Sequence, residues 1–203
     1  MKRTMSKLII AIFTGALLLG STGGVLAQSQ DSGKEKKTKE TVAMSQQVYE
    51  KLAEIQELIE AKDYASAQRL TDDLKEKKGL TPYELAQIWN ITGYSYYLQE
   101  RYDDAIRAYD QVMAQPDLPE ALVLSTLKTK AQLQFTLEDY EAALATVRQL
   151  MGAISEPSAD VLMLEGQALF QLERYDEALT PIKTAIELYR SQGQVPKENW
   201  LLL

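Results

Sequence analysis

One short pattern occurs four times along this 203-residue chain and constrains its fold more than any other feature. A tyrosine is followed three residues later by an alanine in the stretches KDYASA, ERYDDA, EDYEAA and ERYDEA. The tyrosines are 38, 38 and 35 residues apart, at Tyr64, Tyr102, Tyr140 and Tyr175. Apolar residues recur between them at helical spacing, and turn residues cluster at 79–82, 116–119, 152–157 and 193–196. Each unit is therefore predicted to contain two helices.

The pattern resembles the tetratricopeptide repeat, a helix–turn–helix unit of about 34 residues with small and large residues at fixed positions. The copy at 86–119 carries the family residues Trp89, Gly93, Tyr96, Ala105 and Tyr109. The other copies are predicted at 48–81, 124–157 and 159–192. The resemblance implies an all-α fold, a right-handed α-solenoid of about four helix pairs over residues 42–193.

Small residues at two positions of the unit are predicted to let its two helices cross closely. On the first helix they are Gly93, Ala131 and Gly166; on the second helix they are Ala105, Ala143 and Ala178. Residues 82–85 and 120–123 exceed the repeat period, and we expect them to lengthen the turns between repeats.

The composition excludes several classes of chemistry. The chain has no Cys and no His, which excludes thiol nucleophiles, Ser-His-Asp triads and zinc sites of these residues. Its net charge of -7 provides no basic field for nucleic acid. The acid pairs Asp103/Asp104 and Asp176/Glu177 each begin a second helix, where acids favour the helix dipole. We predict a protein that is not an enzyme, with no catalytic residue, metal or cofactor.

The first 27 residues are organised as a secretory signal peptide. Three bases precede an apolar run, and Val25 and Ala27 provide the small residues of a cleavage site. Without this segment the chain has 19 bases and 29 acids, a net charge of -10. Residues 28–41 are polar and without periodicity, which predicts a disordered tether. The expected location is the periplasm. If residues 8–27 stay uncleaved, they are long enough to anchor the chain in a membrane.

The family resemblance also implies a binding site, because the first helices of tetratricopeptide arrays line a concave wall. The wall positions fall on Asn90, Tyr94, Tyr97, Lys128, Gln132, Met163 and Gln167. Phe135 and Phe170 occupy positions that are either wall or inter-repeat core. Amides and aromatic rings suit an extended or helical peptide, whereas the carboxylate clamp of one family branch needs more bases than Lys128 alone.

The C-terminal residues 194–203 are predicted to start a further, truncated repeat helix. Trp200 stands there at the position that Trp89 has in its own copy. Two alternatives are an oligomer formed through this end and a last turn folded back on the helix at 178–191.

The segment TVAMSQQVYEKLAEIQ at 41–56, with the tether and the repeats, is similar to tetratricopeptide proteins encoded beside TonB/ExbB/ExbD systems of Gram-negative bacteria. That resemblance implies a non-catalytic periplasmic scaffold, accessory to energised uptake, with TonB/ExbB/ExbD-type components as partners. A general cell-envelope assembly adaptor and a regulatory repeat domain of an envelope enzyme are the alternatives.

Overall fold

The computed structural model describes residues 44–195. The predicted signal peptide at 1–27, the tether at 28–41 and residues 196–203 of the predicted C-terminal helix lie outside the described residues. The described part of the chain contains eight α-helices and no strand. They are α1 (Gln46–Glu60), α2 (Tyr64–Lys75), α3 (Pro82–Leu98), α4 (Tyr102–Met113), α5 (Glu120–Thr136), α6 (Tyr140–Gly152), α7 (Ala159–Gln171) and α8 (Tyr175–Ser191).

The helices form four pairs that stack in chain order. Three residues join the two helices of a pair, as at 99–101, and six residues join one pair to the next, as at 114–119. Every helix packs against the next one along the chain, and α1 also contacts α3. The result is the four-pair, all-α architecture that the repeat pattern predicts. None of the helices between residues 44 and 195 combines the length and the apolarity needed to cross a membrane.

The first helix of every pair ends in the same type of backbone turn. In the second pair the amide of Glu100 donates to the carbonyl of Tyr97 at 3.0 Å, and the amide of Arg101 donates to that of Tyr96 at 3.0 Å. These two bonds make a Schellman motif, which needs one left-handed residue just after the helix. In the four pairs, with φ from 58° to 60°, this residue is Lys62, Glu100, Glu138 or Glu173.

Helices α3 and α5 begin earlier than the repeat period suggests. Residues 82–85 and 120–123 are their first turns, so the expectation that these residues lengthen the turns between repeats is wrong. At the start of α3, Thr81 Oγ1 accepts the amide of Glu84 at 3.1 Å, and the Glu84 carboxylate accepts the amide of Thr81 at 2.8 Å. This capping box, with Pro82 in the first turn, fixes the start of the helix.

The predicted small residues do lie where the two helices of a pair cross. A Cβ on Gly93 would stand 2.9 Å from the ring of Tyr109 on α4, and one on Gly166 would stand 2.4 Å from Ile182 Cγ1 on α8. The remaining small residues are at most 2% exposed: Ala105, Ala131, Ala143 and Ala178. Close crossing therefore depends on side chains no larger than these.

The apolar core is a row of four clusters that share residues between neighbouring pairs. The cluster of α1 and α2 includes Ile88 from α3, and the cluster of α3 and α4 includes Leu133 from α5. The third cluster includes Val161 from α7, and the last takes Leu144 from α6. Each pair thus completes its core only by stacking on a neighbour, which is the organisation of a solenoid.

Candidate protein-binding surface

Six of the seven predicted wall residues are accessible on the first helices of the second, third and fourth pairs. Five of them are partly exposed and one is exposed. We call this set the first-helix face; it consists of Asn90, Tyr94, Tyr97, Lys128, Gln132 and Gln167. The side-chain amides of Asn90, Gln132 and Gln167 have no hydrogen-bond partner among the described residues. Each amide offers one acceptor and two donors, so the face can bond to a peptide backbone.

Tyr94 stands where the second pair meets the first. Its ring packs against the apolar cluster of α1 and α2. Burial raises the pKa of the Tyr94 phenol, and the nearby Glu60 carboxylate and the phenols of Tyr97 and Tyr64 raise it further. The hydroxyl is therefore protonated at neutral pH and able to donate a hydrogen bond.

Tyrosines are concentrated behind this position. Burial, together with the neighbouring phenols of Tyr94 and Tyr97, also raises the pKa of Tyr109. The ring of Tyr97 lies 6.2 Å from that of Tyr102, measured between centroids. The second pair thus contains a continuous group of tyrosine rings, of which Tyr94 and Tyr97 reach the first-helix face.

Phe135 and Phe170 belong to aromatic pairs of the same kind. Their ring centroids lie 6.0 Å from Tyr140 and 5.3 Å from Tyr175, both in edge-to-face geometry. Both phenylalanines are partly buried against the apolar cluster of the last pair. Of the two alternatives for these positions, the structure therefore favours inter-repeat core.

The structure contradicts the wall position predicted for Met163. Its side chain is only 2% exposed and lies in the core of the last pair, so a bound peptide could not touch it. Lys128, which has the equivalent position in α5, is exposed. The same family position is therefore exposed in the third pair and buried in the fourth. In the fourth pair an apolar side chain fills the space beside α6.

One acid in each of the two acid pairs is bound by arginine. Asp104 accepts from Arg101 Nε at 2.7 Å and is also paired with Arg107. Glu177 binds Arg174 through two hydrogen bonds of 2.7 Å. Hydrogen bonds from these arginines lower the pKa of both carboxyl groups. A general acid or base needs a pKa near the working pH, so these acids serve helix starts and ion pairs.

Glu84 is a structural residue that the repeat pattern does not single out. Besides its capping box, its Oε1 accepts the amide of Ser45 at 2.9 Å and the hydroxyl of Ser45 at 2.6 Å. Burial raises the pKa of Glu84, but hydrogen bonds from Ser45 and Thr81 outweigh it and lower the pKa to about 2. The T-x-x-E spacing reveals the cap from sequence, whereas nothing local reveals a partner 39 residues away.

The third pair has two polar side chains in its core. Gln134 is 6% exposed and its Oε1 has no hydrogen-bond partner among the described residues; the same holds for Thr126 Oγ1, on a residue 2% exposed. The residues 35 positions later, Leu169 and Val161, are apolar and buried. The third pair therefore lacks apolar side chains at two core positions where the fourth pair has them.

Comparison with known proteins adds to this geometry. A family model described as tetratricopeptide repeat matches residues 52–119. A second, described as anaphase-promoting complex, cyclosome, subunit 3, matches residues 98–185. The fold is a tetratricopeptide-repeat solenoid. The predicted all-α tetratricopeptide solenoid is thereby confirmed.

Solved tetratricopeptide structures resemble this array. The structure titled "MamA RS-1 ArsTM double mutant" has a TM-score of 0.56 at 17% identity, with 72% of this chain and 77% of that chain covered. "MamA 41-end from Desulfovibrio magneticus RS-1" has a TM-score of 0.55 at 17% identity and the same coverage. "Crystal structure of MamA protein" has 0.56 at 14% identity, covering 72% and 75%. At these identities the likeness is one of fold alone. No curated protein matches the sequence.

Proposed function

We propose that this tetratricopeptide array is a non-catalytic scaffold that binds a protein partner through its first-helix face. The main supporting observation is a set of side-chain amides without a partner among the described residues. Gln132 and Gln167 have equivalent positions on α5 and α7, and Asn90 lies one helical turn before the corresponding position on α3. These side chains are partly exposed, so their amide donors and acceptors are available to a ligand. An extended peptide, whose own backbone groups need partners, is the complementary ligand.

The remaining residues of the face indicate how a peptide is held. The rings of Tyr94 and Tyr97 offer flat apolar area with a polar tip, which covers peptide side chains at low entropic cost. Lys128 adds a single positive charge one helical turn before Gln132. Recognition therefore relies on backbone hydrogen bonds and ring contacts more than on charge.

We further propose that the scaffold acts in the periplasm, as an accessory component of a TonB-type uptake system. The basic, apolar and small-residue order of positions 1–27 supports export, and the resemblance of residues 41–56 supports the system. Export predicts a mature protein that begins at Gln28. Mass spectrometry of the protein from a periplasmic extract measures this, and an intact N-terminus in that fraction would contradict cleavage.

Affinity capture from native membranes tests the partner and the face together. The wild-type chain should retain TonB, ExbB or ExbD, identified by mass spectrometry, and the double variant Gln132→Ala/Gln167→Ala should lose them. Gln149→Ala, on the exposed side of α6, is the matched control and should retain them. Circular dichroism verifies that helicity is unchanged. Equal capture by the double variant would contradict the face, and capture without any of the three proteins would contradict the system.

A further inference from the structure

The last helix of the described chain, α8, has an apolar outer side. Leu179 is 52% exposed, Tyr175 is 53% exposed, and Ile186 is only partly buried. At about 3.6 residues per turn, these three side chains and Lys183 lie along one side of α8, which we call the end face. A solenoid needs a polar outer side at its ends to stay soluble. The end face therefore has the composition of a surface that another element covers.

The equivalent residue of the preceding pair shows how such a surface is covered. Leu144 stands on α6, 35 residues before Leu179, and is only 2% exposed. It belongs to the apolar cluster of the last pair, so the helices that follow α6 bury it. Leu179 has the same position on α8, which no helix follows among the described residues. The rest of the array therefore indicates that the chain beyond α8 covers Leu179.

An ion pair accompanies the apolar contact between successive pairs. Lys130 on α5 is paired with Asp110 on α4. Arg148 Nε on α6 lies 3.2 Å from Glu165 Oε1 on α7. Lys183 has the position on α8 that Asp110 and Arg148 have on their helices, and it is exposed without an ion pair among the described residues. The end face thus carries one half of an inter-pair contact, both its apolar and its charged part.

The turn at the end of α8 directs the chain back along this helix. The amide of Gly193 donates to the carbonyl of Arg190 at 2.9 Å, and the amide of Gln194 donates to that of Tyr189 at 3.1 Å. Gly193 has the left-handed φ of 71° that this Schellman motif needs, and inside each pair the same motif reverses the chain between two packed helices. Val195 is not helical, so this joint is longer than the three-residue joint inside a pair.

The spacing of the pairs gives Trp200 a defined position. Joints of six residues connect successive pairs, at 76–81, 114–119 and 153–158. A joint of the same length after Ser191 ends at Lys197, which makes Trp200 the third residue of the next helix. The third residues of the earlier first helices are at most 9% exposed and contact the preceding pair: Glu84, Leu122 and Val161. By this count Trp200 also contacts the preceding pair, which is that of α7 and α8.

We propose that residues 196–203 of this chain cover the end face, with Trp200 packed against Leu179. Residues 200–203 are all apolar, so contact with the end face removes apolar surface of both from water. The occupant is a segment of the same chain, and the last pair is covered as the earlier pairs are. This proposal does not rest on the proposed function, because no residue of the first-helix face takes part in it.

Fluorescence of full-chain variants with a single tryptophan tests the contact. In Trp89→Phe, Trp200 is the only tryptophan and should emit at shorter wavelength than in the urea-unfolded chain. Adding Leu179→Asp should shift this emission to longer wavelength, because a carboxylate then faces the ring. Adding the control Thr184→Asp, on an exposed residue about 140° around α8, should leave the emission unchanged. Equal emission from the two Asp variants, with helicity verified by circular dichroism, would overturn the proposal.

Paired cysteines distinguish a docked segment from a loose one and from a second copy, because the chain has no cysteine of its own. Lys183→Cys/Leu201→Cys should form an intramolecular disulfide about tenfold faster than Thr184→Cys/Leu201→Cys, since docking raises the effective concentration only on the end face. Non-reducing electrophoresis follows both reactions. Equal rates would show that the segment is loose, and disulfide-linked dimers would show that a second copy occupies the face. Either result would overturn the proposal.

Discussion

At the scale of single residues, the volumes of two facing side chains decide how closely each helix pair crosses. Gly93 faces the large ring of Tyr109, and Gly166 faces Ile182. In the third pair Ala131 and Val147 are both fully buried in one cluster. Here the first helix has a residue larger than glycine, and the second helix has one smaller than tyrosine or isoleucine. Where the first helix has glycine, a large side chain of the second helix fills the space, which keeps the interior close-packed.

Gly166→Ala should destabilise the protein by about 1–2 kcal/mol. The overpacking cost, about 2–3 kcal/mol at the upper end of the usual range, exceeds the helix-propensity gain of about 1 kcal/mol. The reason is spatial, since the new Cβ would stand 2.4 Å from Ile182 Cγ1 and 3.4 Å from the Ile182 backbone nitrogen. Urea unfolding measures the change. Gly152→Ala, with no atom within 4 Å of its Cβ, is the control and should be neutral or stabilising. A Gly166→Ala protein with the same unfolding free energy as wild type would refute the packing account.

Gln134→Leu should stabilise the protein by about 1–3 kcal/mol, because it removes a buried oxygen that has lost its hydration without gaining a bond. The fourth pair already has Leu169 at this position, 1% exposed. Thermal and urea unfolding give the difference. Gln132→Leu, on the partly exposed side of the same helix, is the matched control and should bring no comparable gain. Destabilisation by Gln134→Leu would mean that the amide has an essential partner.

Some of these residue-scale features can be predicted from the sequence and others cannot. Gly93 and Gly166 are predictable because small residues recur at the repeat period and contrast with their large neighbours. The burial of Met163 is not predictable in this way. The family resemblance assigns its position to the wall, and only the packing of α7 beside α6 buries the side chain. Gln134 is the opposite case. Its polar side chain is expected at the surface, but its position in the repeat lies in the core.

At the scale of elements, the ends of helices connect one pair to another. The carboxylate of Glu84 caps α3 and at the same time binds Ser45, the residue before α1. One buried side chain therefore fixes the start of α3 and ties it to the start of α1. The capping box is visible in the sequence, but the inter-pair contact depends on the stacking of α1 against α3.

The pKa of Glu84 predicts a pH-dependent share of the stability. Because its pKa is about 2 in the folded protein and 4.5 in the reference state, the stabilisation is complete above pH 4.5. It falls as the pH drops from 4.5 towards 2 and amounts to about 3 kcal/mol at most. The unfolding free energy of wild type minus that of Glu84→Gln should therefore shrink over this range.

The exposed Glu187 provides the control for this pH profile. Glu187→Gln removes a carboxylate of the same type from an exposed position that has no ion pair among the described residues, so it corrects the profile for the general effect of losing one charge. Guanidinium unfolding at several pH values yields both curves. A difference for Glu84→Gln that stays constant between pH 5 and 2.5 would contradict the ionised, hydrogen-bonded state.

At the scale of the whole array, stability and binding both follow from stacking. Cores that share residues across pairs make each pair depend on its neighbours. The same stacking places equivalent residues of successive first helices, such as Tyr94, Gln132 and Gln167, next to one another along the array. The period of the sequence predicts this row; the exposure of each member depends on local packing and does not follow from the period.

In-cell photo-crosslinking tests the central claim, that the array binds its partner through the first-helix face. A photoreactive amino acid at Gln132 or at Gln167 should crosslink to the same partner protein, because both positions lie on the face. The same group at Gln149 on α6 or Lys183 on α8, both exposed on second helices, should give no crosslink to it. Crosslinks of equal strength from both sets, or from the second-helix positions alone, would contradict the account.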